Sequence, residues 1–113
     1  MQTTRQLKVA ELIKEELAKI IRLKFNGLVS GRLITITQVG ISPDLGFAKI
    51  FISIFPSTDS NEIIKEINKN VSKIRYELGK AVKNTLRIIP EIVFFIDDSL
   101  DVIDRIDKAL KQG

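Results

Sequence analysis

The chain has 113 residues, 44% hydrophobic and 28% charged, which suits one soluble globular domain spanning 1–113. It has no cysteine and no histidine, which excludes disulfides, Cys/His zinc sites and Ser–His or Cys–His catalytic pairs. The net charge of +4 is unevenly placed: residues 65–87 hold seven Lys/Arg against two Glu, whereas residues 88–113 hold three basic and six acidic residues. A basic stretch beside an acidic end describes a surface that can orient on a polyanion.

The first helix is expected from about Thr4 to Asn26. Val9, Leu12, Ile13, Leu17, Ile20 and Ile21 recur at helical spacing and form its buried stripe. Thr3 with Gln6 fits a capping box, and Gly27 suits the helix end. A strand follows from about Arg32 to Ile41. Ile34 and Ile36 share one parity while Val39 and Ile41 share the other, so a β-bulge is expected near Thr37 or Gln38. Ser42-Pro43-Asp44-Leu45-Gly46 reads as a turn into a second strand, Phe47 to Phe55, paired as an antiparallel hairpin. Ala48, Ile50, Ile52 and Ile54 point one way along that strand, and Phe47, Phe51 and Phe55 the other. The phenylalanine face suits a second packed layer, a partner surface or a base-stacking platform.

A long helical segment is expected from about Ser60 to Arg87, capped by Asp59 or Ser60, with Glu62 completing a box from Asp59. Asn70-Val71-Ser72 has poor helix propensity and marks a kink. Pro90 ends this region. Ile92-Val93-Phe94-Phe95-Ile96 reads as a central strand buried on both faces, and a last helix runs from about Ser99 to Lys111. The order is α-β-β-α-α-β-α. Helices on one face of a three-stranded mixed sheet make an α+β domain.

The long helical segment has two faces. Ile63, Ile67, Val71, Ile74, Leu78 and Val82 form the apolar one. Lys65, Lys69, Lys73, Lys80 and Lys83 fall within an arc of about 80° on the other, with Tyr76 inside it. A narrow basic ridge carrying one aromatic suits phosphates and an unpaired base, and the plainer alternative is a solvated helix face. Asp97, Asp98, Asp101, Asp104 and Asp107 are the single acidic group with metal-like spacing, and they read better as a solvated helix start. No phosphate-cradling glycine motif occurs. No catalytic residue, metal ligand or cofactor is assigned. No run reaches the ~18 apolar residues that span a membrane, and the first residues lack a signal-peptide core. A cytoplasmic protein without membrane contact is expected.

Several blocks carry a family likeness: Arg5 with Val9-Ala10-Glu11; Ser42-Pro43-Asp44-Leu45-Gly46-Phe47-Ala48-Lys49-Ile50; Ile74-Arg75 then Leu78-Gly79; and Leu86-Arg87-Ile88-Ile89-Pro90-Glu91-Ile92 followed by Phe94 and Asp97-Asp98-Ser99-Leu100. Together they resemble the ribosome-binding factor A family from about residue 5 to residue 107. The resemblance implies a type II KH-like fold with a C-terminal helix and a helix-kink-helix in place of the Gly-x-x-Gly loop. It implies a non-catalytic assembly factor that binds the free 30S subunit, near the decoding region and 3′ end of 16S rRNA. Assistance in 16S rRNA maturation, late 30S biogenesis and cold adaptation go with it. In this chain the kink holds Asn70 and Ser72, where many members have Ala and Gly.

On this reading Lys65, Lys69, Lys73, Lys80, Lys83 and Arg87 face phosphates. Tyr76 stacks, Arg75 flanks, and Asn70 and Ser72 donate at the kink. Arg5, Lys8 and Arg22 of the first helix add charge. A monomer is expected. The alternatives are a protein-interaction module docking through Phe47/Phe51/Phe55 or the acidic last helix, and a generic single-stranded RNA binder. An enzyme built on Asp101 and Asp104 is the third.

Overall fold

The apolar stripe of the first helix decides where the sheet lies. The computed structural model describes residues 3–29 and 31–97. Helix α1 (Thr4–Lys24) begins at the expected capping box: Thr3 Oγ1 accepts from the Gln6 N–H at 3.1 Å, and Gln6 Oε1 accepts from the Thr3 N–H at 2.9 Å. Gln6 Nε2 donates to the Ile41 carbonyl at 2.8 Å, so this buried amide is paired at both ends. Val9, Ala10, Ile13, Leu17, Ile20 and Ile21 are buried, and α1 lies against the first strand and the third helix.

Strands β1 (Leu33–Ile41) and β2 (Phe47–Phe55) form the antiparallel hairpin. Ile36 pairs with Ile52 and Gln38 with Phe51, which leaves Thr37 as the bulged residue. The bulge turns Val39 and Ile41 to the side already taken by Ile36, and all three are buried. In the turn, Asp44 Oδ1 accepts from the Ser42 hydroxyl at 2.6 Å and from the Gly46 N–H at 3.0 Å. Those two bonds, the hydroxyl's first, hold the Asp44 carboxyl below the usual carboxylate range. The positive φ of 62° falls on Leu45, whose side chain packs against the core. At Gly46 a Cβ would sit 3.3 Å from Asp44 Oδ1, a tight contact with the carboxylate that holds the turn.

The long helical segment departs from expectation at its two ends and is broken at Asn70. Asp59 gives its N-cap no side-chain bond; its carboxylate accepts from Arg32, with Nε–Oδ1 at 2.9 Å. A charge-assisted two-point pair outcompetes a neutral N–H. The segment is two helices, α2 (Ser60–Lys69) and α3 (Val71–Val82), divided at Asn70. Asn70 Nδ2 donates to the Glu66 carbonyl at 2.9 Å, one of the acceptors a helix end leaves open. The second helix then stops at Val82 and not at Arg87. The Thr85 and Leu86 N–H groups both donate to the Val82 carbonyl at 2.8 Å, which turns the chain off the helix axis.

Strand β3 (Glu91–Ile96) runs parallel to β2, and the sheet order β1-β2-β3 puts it at the edge. The expected central place belongs to β2. Ile92 and Phe94 are buried, while Phe95 is 39% exposed and stacks on Phe51 with ring centroids 5.7 Å apart. The run is apolar because its helix-free face carries that aromatic pair. Phe47 and Phe55 lie on the same face as Phe51. Opposite it, Ala48, Ile50 and Ile52 are fully buried with Ile13, Leu17, Ile67, Ile74 and Leu78. The expected last helix, Ser99 to Lys111, and Asp98, Asp101, Asp104 and Asp107 lie outside the described residues.

Among the described residues, one side chain pairs the backbone of Phe94 on the outer edge of β3. Asn68 Nδ2 donates to the Phe94 carbonyl at 3.0 Å, and Asn68 Oδ1 accepts from the Phe94 N–H at 3.0 Å. A primary amide can do for one residue what a neighbouring strand would do. Replacing Asn68 with Ala should lower the unfolding free energy by about 1–3 kcal/mol in a urea titration, since two half-buried backbone groups lose their partners. Asn68→Asp should do no better, because it sets a carboxylate against the Phe94 carbonyl. A wild-type urea midpoint for Asn68→Ala would contradict the clamp.

Candidate nucleic-acid interface

Arg75 is exposed on α3 and lines the basic surface that it helps to shape. Its Nε donates to the Pro90 carbonyl at 2.9 Å and its Nη2 to the Ile89 carbonyl at 2.6 Å. These bonds tie the segment 83–90 to α3 and open a groove of about 920 Å³ between α3 and the start of β3. Ser72, Tyr76, Lys80, Lys83, Arg87 and Ile88 line it. Tyr76 is 66% exposed, and Lys80 Nζ lies 5.1 Å from its ring centroid. An exposed ring with a cation on its face is a stacking surface that already sits in positive potential.

Glu77 balances this charge on the inner side. Its carboxylate lies 2.7 Å from Lys24 Nζ of α1 and 3.2 Å from Lys80 Nζ. The Lys24 hydrogen bond is the main reason that the Glu77 carboxyl sits below its usual range; Lys80 adds to it and burial opposes it. Among the described residues, Lys83 and Arg87 have no carboxylate partner, so their charge faces solvent.

The structure divides the residues that the sequence put on one ridge. Angles about a single helix axis placed five lysines together, and the break at Asn70 ends that axis. Lys80 and Lys83 meet Arg87 and Tyr76 in the α3 groove. Lys73 lines a smaller hollow with Lys24, Phe25 and Tyr76. Lys65 and Lys69 stay on α2, outside these hollows, and Lys69 lies 3.2 Å from Glu66. Asn70 has its amide on the Glu66 carbonyl, and Arg75 has two donors on backbone carbonyls. Arg5 and Lys8 line another hollow with Leu12, Leu45, Arg87 and Ile88, and Arg22 lies exposed in the last turn of α1. Sequence reasoning missed Asn68, Lys24, Glu77 and Ile88. Two adjacent isoleucines before Pro90 carried a signal for the last, since neighbours in an extended segment cannot both face one core.

Among the described residues no group of three His, Cys, Asp or Glu could hold a metal ion, and no helix is long and apolar enough to cross a membrane. The sequence profile described as "Ribosome-binding factor A" matches residues 5–110. The chain belongs to the ribosome-binding factor A family. The ribosome-binding factor A of Christiangramia forsetii is 41% identical over 112 residues, which cover 97% of this chain and 85% of that one. The crystal structure of the Thermus thermophilus protein shares the fold with a TM-score of 0.69 at 16% identity, over 80% of this chain and 94% of that one. A Thermus thermophilus ribosome-binding factor A fitted into a cryo-electron-microscopy map of a 30S complex gives a TM-score of 0.63 at 17% identity, over 79% and 91%. The family-like block Leu86–Ile92 falls on the segment that Arg75 holds and on the start of β3.

The Lys24–Glu77–Lys80 set has a pH signature. The folded state lowers the Glu77 pKa, so its contribution is present above the unfolded value of 4.5 and is lost as pH falls through the lower folded value. The Tm difference between wild type and Glu77→Gln should be largest at neutral pH in low salt, and should shrink as pH falls below 4.5. A difference that does not change with pH would show that the carboxylate charge is not what matters.

Proposed function

We propose that the α3 groove is the face through which this protein meets ribosomal RNA. As a member of the ribosome-binding factor A family, the protein is an assembly factor that binds the free 30S subunit and assists 16S rRNA maturation and late 30S biogenesis, including in the cold. It is not an enzyme. The observation that carries the proposed contact is Tyr76, exposed among Lys80, Lys83 and Arg87 in one concavity. The cations neutralise phosphates and release counterions, while the ring takes the face of an unpaired base. Ser72 lies in the first turn of α3, where the helix dipole also favours a phosphate. Lys73 and the α1 cations extend the positive field around the groove.

The finer parts of this reading are also proposals. The domain, taken over 1–113, is type II KH-like, with α2–Asn70–α3 standing where a Gly-x-x-Gly loop would clamp the backbone. It acts as a cytoplasmic monomer on 16S rRNA near the decoding region and 3′ end. The Thermus thermophilus relative fitted into a 30S complex supports a small-subunit target.

Cosedimentation with 30S particles over a salt series tests the groove. Changing Lys80 and Lys83 together to Gln should weaken retention and reduce the slope of log affinity against log salt by about 1.4, two phosphate contacts at ~0.7 each. Changing Lys65 and Lys69 together to Gln should do less, because they line none of the hollows. Equal effects from the two pairs would mean diffuse charge and not a site.

A further inference from the structure

Ile88 is 65% exposed, although its neighbours Leu86 and Ile89 both pack against the core. The Arg75 bonds to the Ile89 and Pro90 carbonyls hold this bent segment against α3 with Ile88 outward. Ile88 and Arg87 belong to two concavities at once. On one side is the α3 groove with Tyr76, Lys80 and Lys83; on the other is the hollow with Arg5, Lys8 and Leu45. Among the described residues, Arg5 and Lys8 have no carboxylate partner either.

We propose that the two concavities form one continuous path for a single RNA strand, which crosses the Arg87–Ile88 saddle, with Ile88 taking the face of an unpaired base there. The path extends the α3-groove reading and rests on it. Its order of side chains is what selects the ligand. From Tyr76 it runs through Lys80, Lys83 and Arg87 to Ile88, and then to Arg5 and Lys8. Two apolar surfaces thus stand among five cations. A duplex offers phosphates outside and hides its base faces in the stack, so Ile88 would have nothing apolar to cover. A single strand offers both along its length. Arg75 is a positioning residue for this path, since it sets which of the two isoleucines faces out.

The test uses the whole protein with purified 30S particles over a salt series, and a variant with photoreactive benzoylphenylalanine in place of Ile88. Arg5→Gln with Lys8→Gln should reduce the salt slope by about 1.4, as the Lys80/Lys83 pair does. Ile88→Ala should weaken binding about fivefold at every salt concentration with the slope unchanged, because it removes apolar area and no charge. The crosslink should fall on unpaired nucleotides of 16S rRNA. Unaltered urea midpoints for these surface variants would show that the fold is kept. Wild-type binding by the Arg5/Lys8 variant, with the Lys80/Lys83 variant impaired, would end the path at the saddle and leave the α3 groove standing. Wild-type binding by both pairs would remove groove and path together. A crosslink to ribosomal protein alone would also overturn the proposal.

Discussion

The Asn68 amide on the backbone of Phe94 is the contact from which the rest of the molecule follows. An edge strand leaves a row of backbone groups without a partner. Here α2 comes close enough for one side chain to satisfy both edge-facing backbone groups of Phe94. Asn68 lies in the last turn of α2. One residue after Lys69 the chain breaks at Asn70, and α3 starts on a new axis with Ile74, Leu78 and Val82 turned into the core. The new axis puts Arg75 over the carbonyls of Ile89 and Pro90, and so settles how the segment before β3 lies against α3. The basic groove is the space left between them.

Much of this fold is legible in the sequence because local rules and tertiary packing agree there. The Thr3–Gln6 capping box, the phase slip that places the bulge at Thr37 and the bounds of β2 all depend on residues a few positions apart. The misreadings share a different cause. Local spacing makes Asp59 a side-chain cap, but its carboxylate is taken by Arg32 from before β1. An apolar run predicts a central strand for β3, but Phe95 stacks on Phe51 across the helix-free face and Asn68 of α2 pairs the edge backbone. Each depends on a contact distant in sequence, which periodicity does not register.

The candidate site divides the same way. Tyr76, Lys80 and Lys83 sit on one continuous helix or at its end, so their spacing alone brings them together. Lys65 and Lys69 were joined to them by a straight axis that the chain does not keep. Arg87 reaches the groove by a route that helical angles do not describe, because the chain leaves the helix after Val82 and is folded back by Arg75. The surface that suits RNA is therefore partly a helix face and partly an irregular segment held in place by two backbone carbonyls.

Charge on such a surface gives affinity without base selectivity, whereas the stacking proposed for exposed Tyr76 and Ile88 needs base faces that a duplex hides. Family membership supplies the target particle, and the groove is the proposed means of holding its RNA. The most direct measurement is hydrogen exchange, read by mass spectrometry, on the free protein and on its complex with 30S subunits. Protection of residues 71–90 on binding, with the outer face of α2 unchanged, is the expected result. Protection confined to β2 and β3 around Phe51 and Phe95, with 71–90 exchanging as in the free protein, would put the contact on the phenylalanine face and contradict the groove.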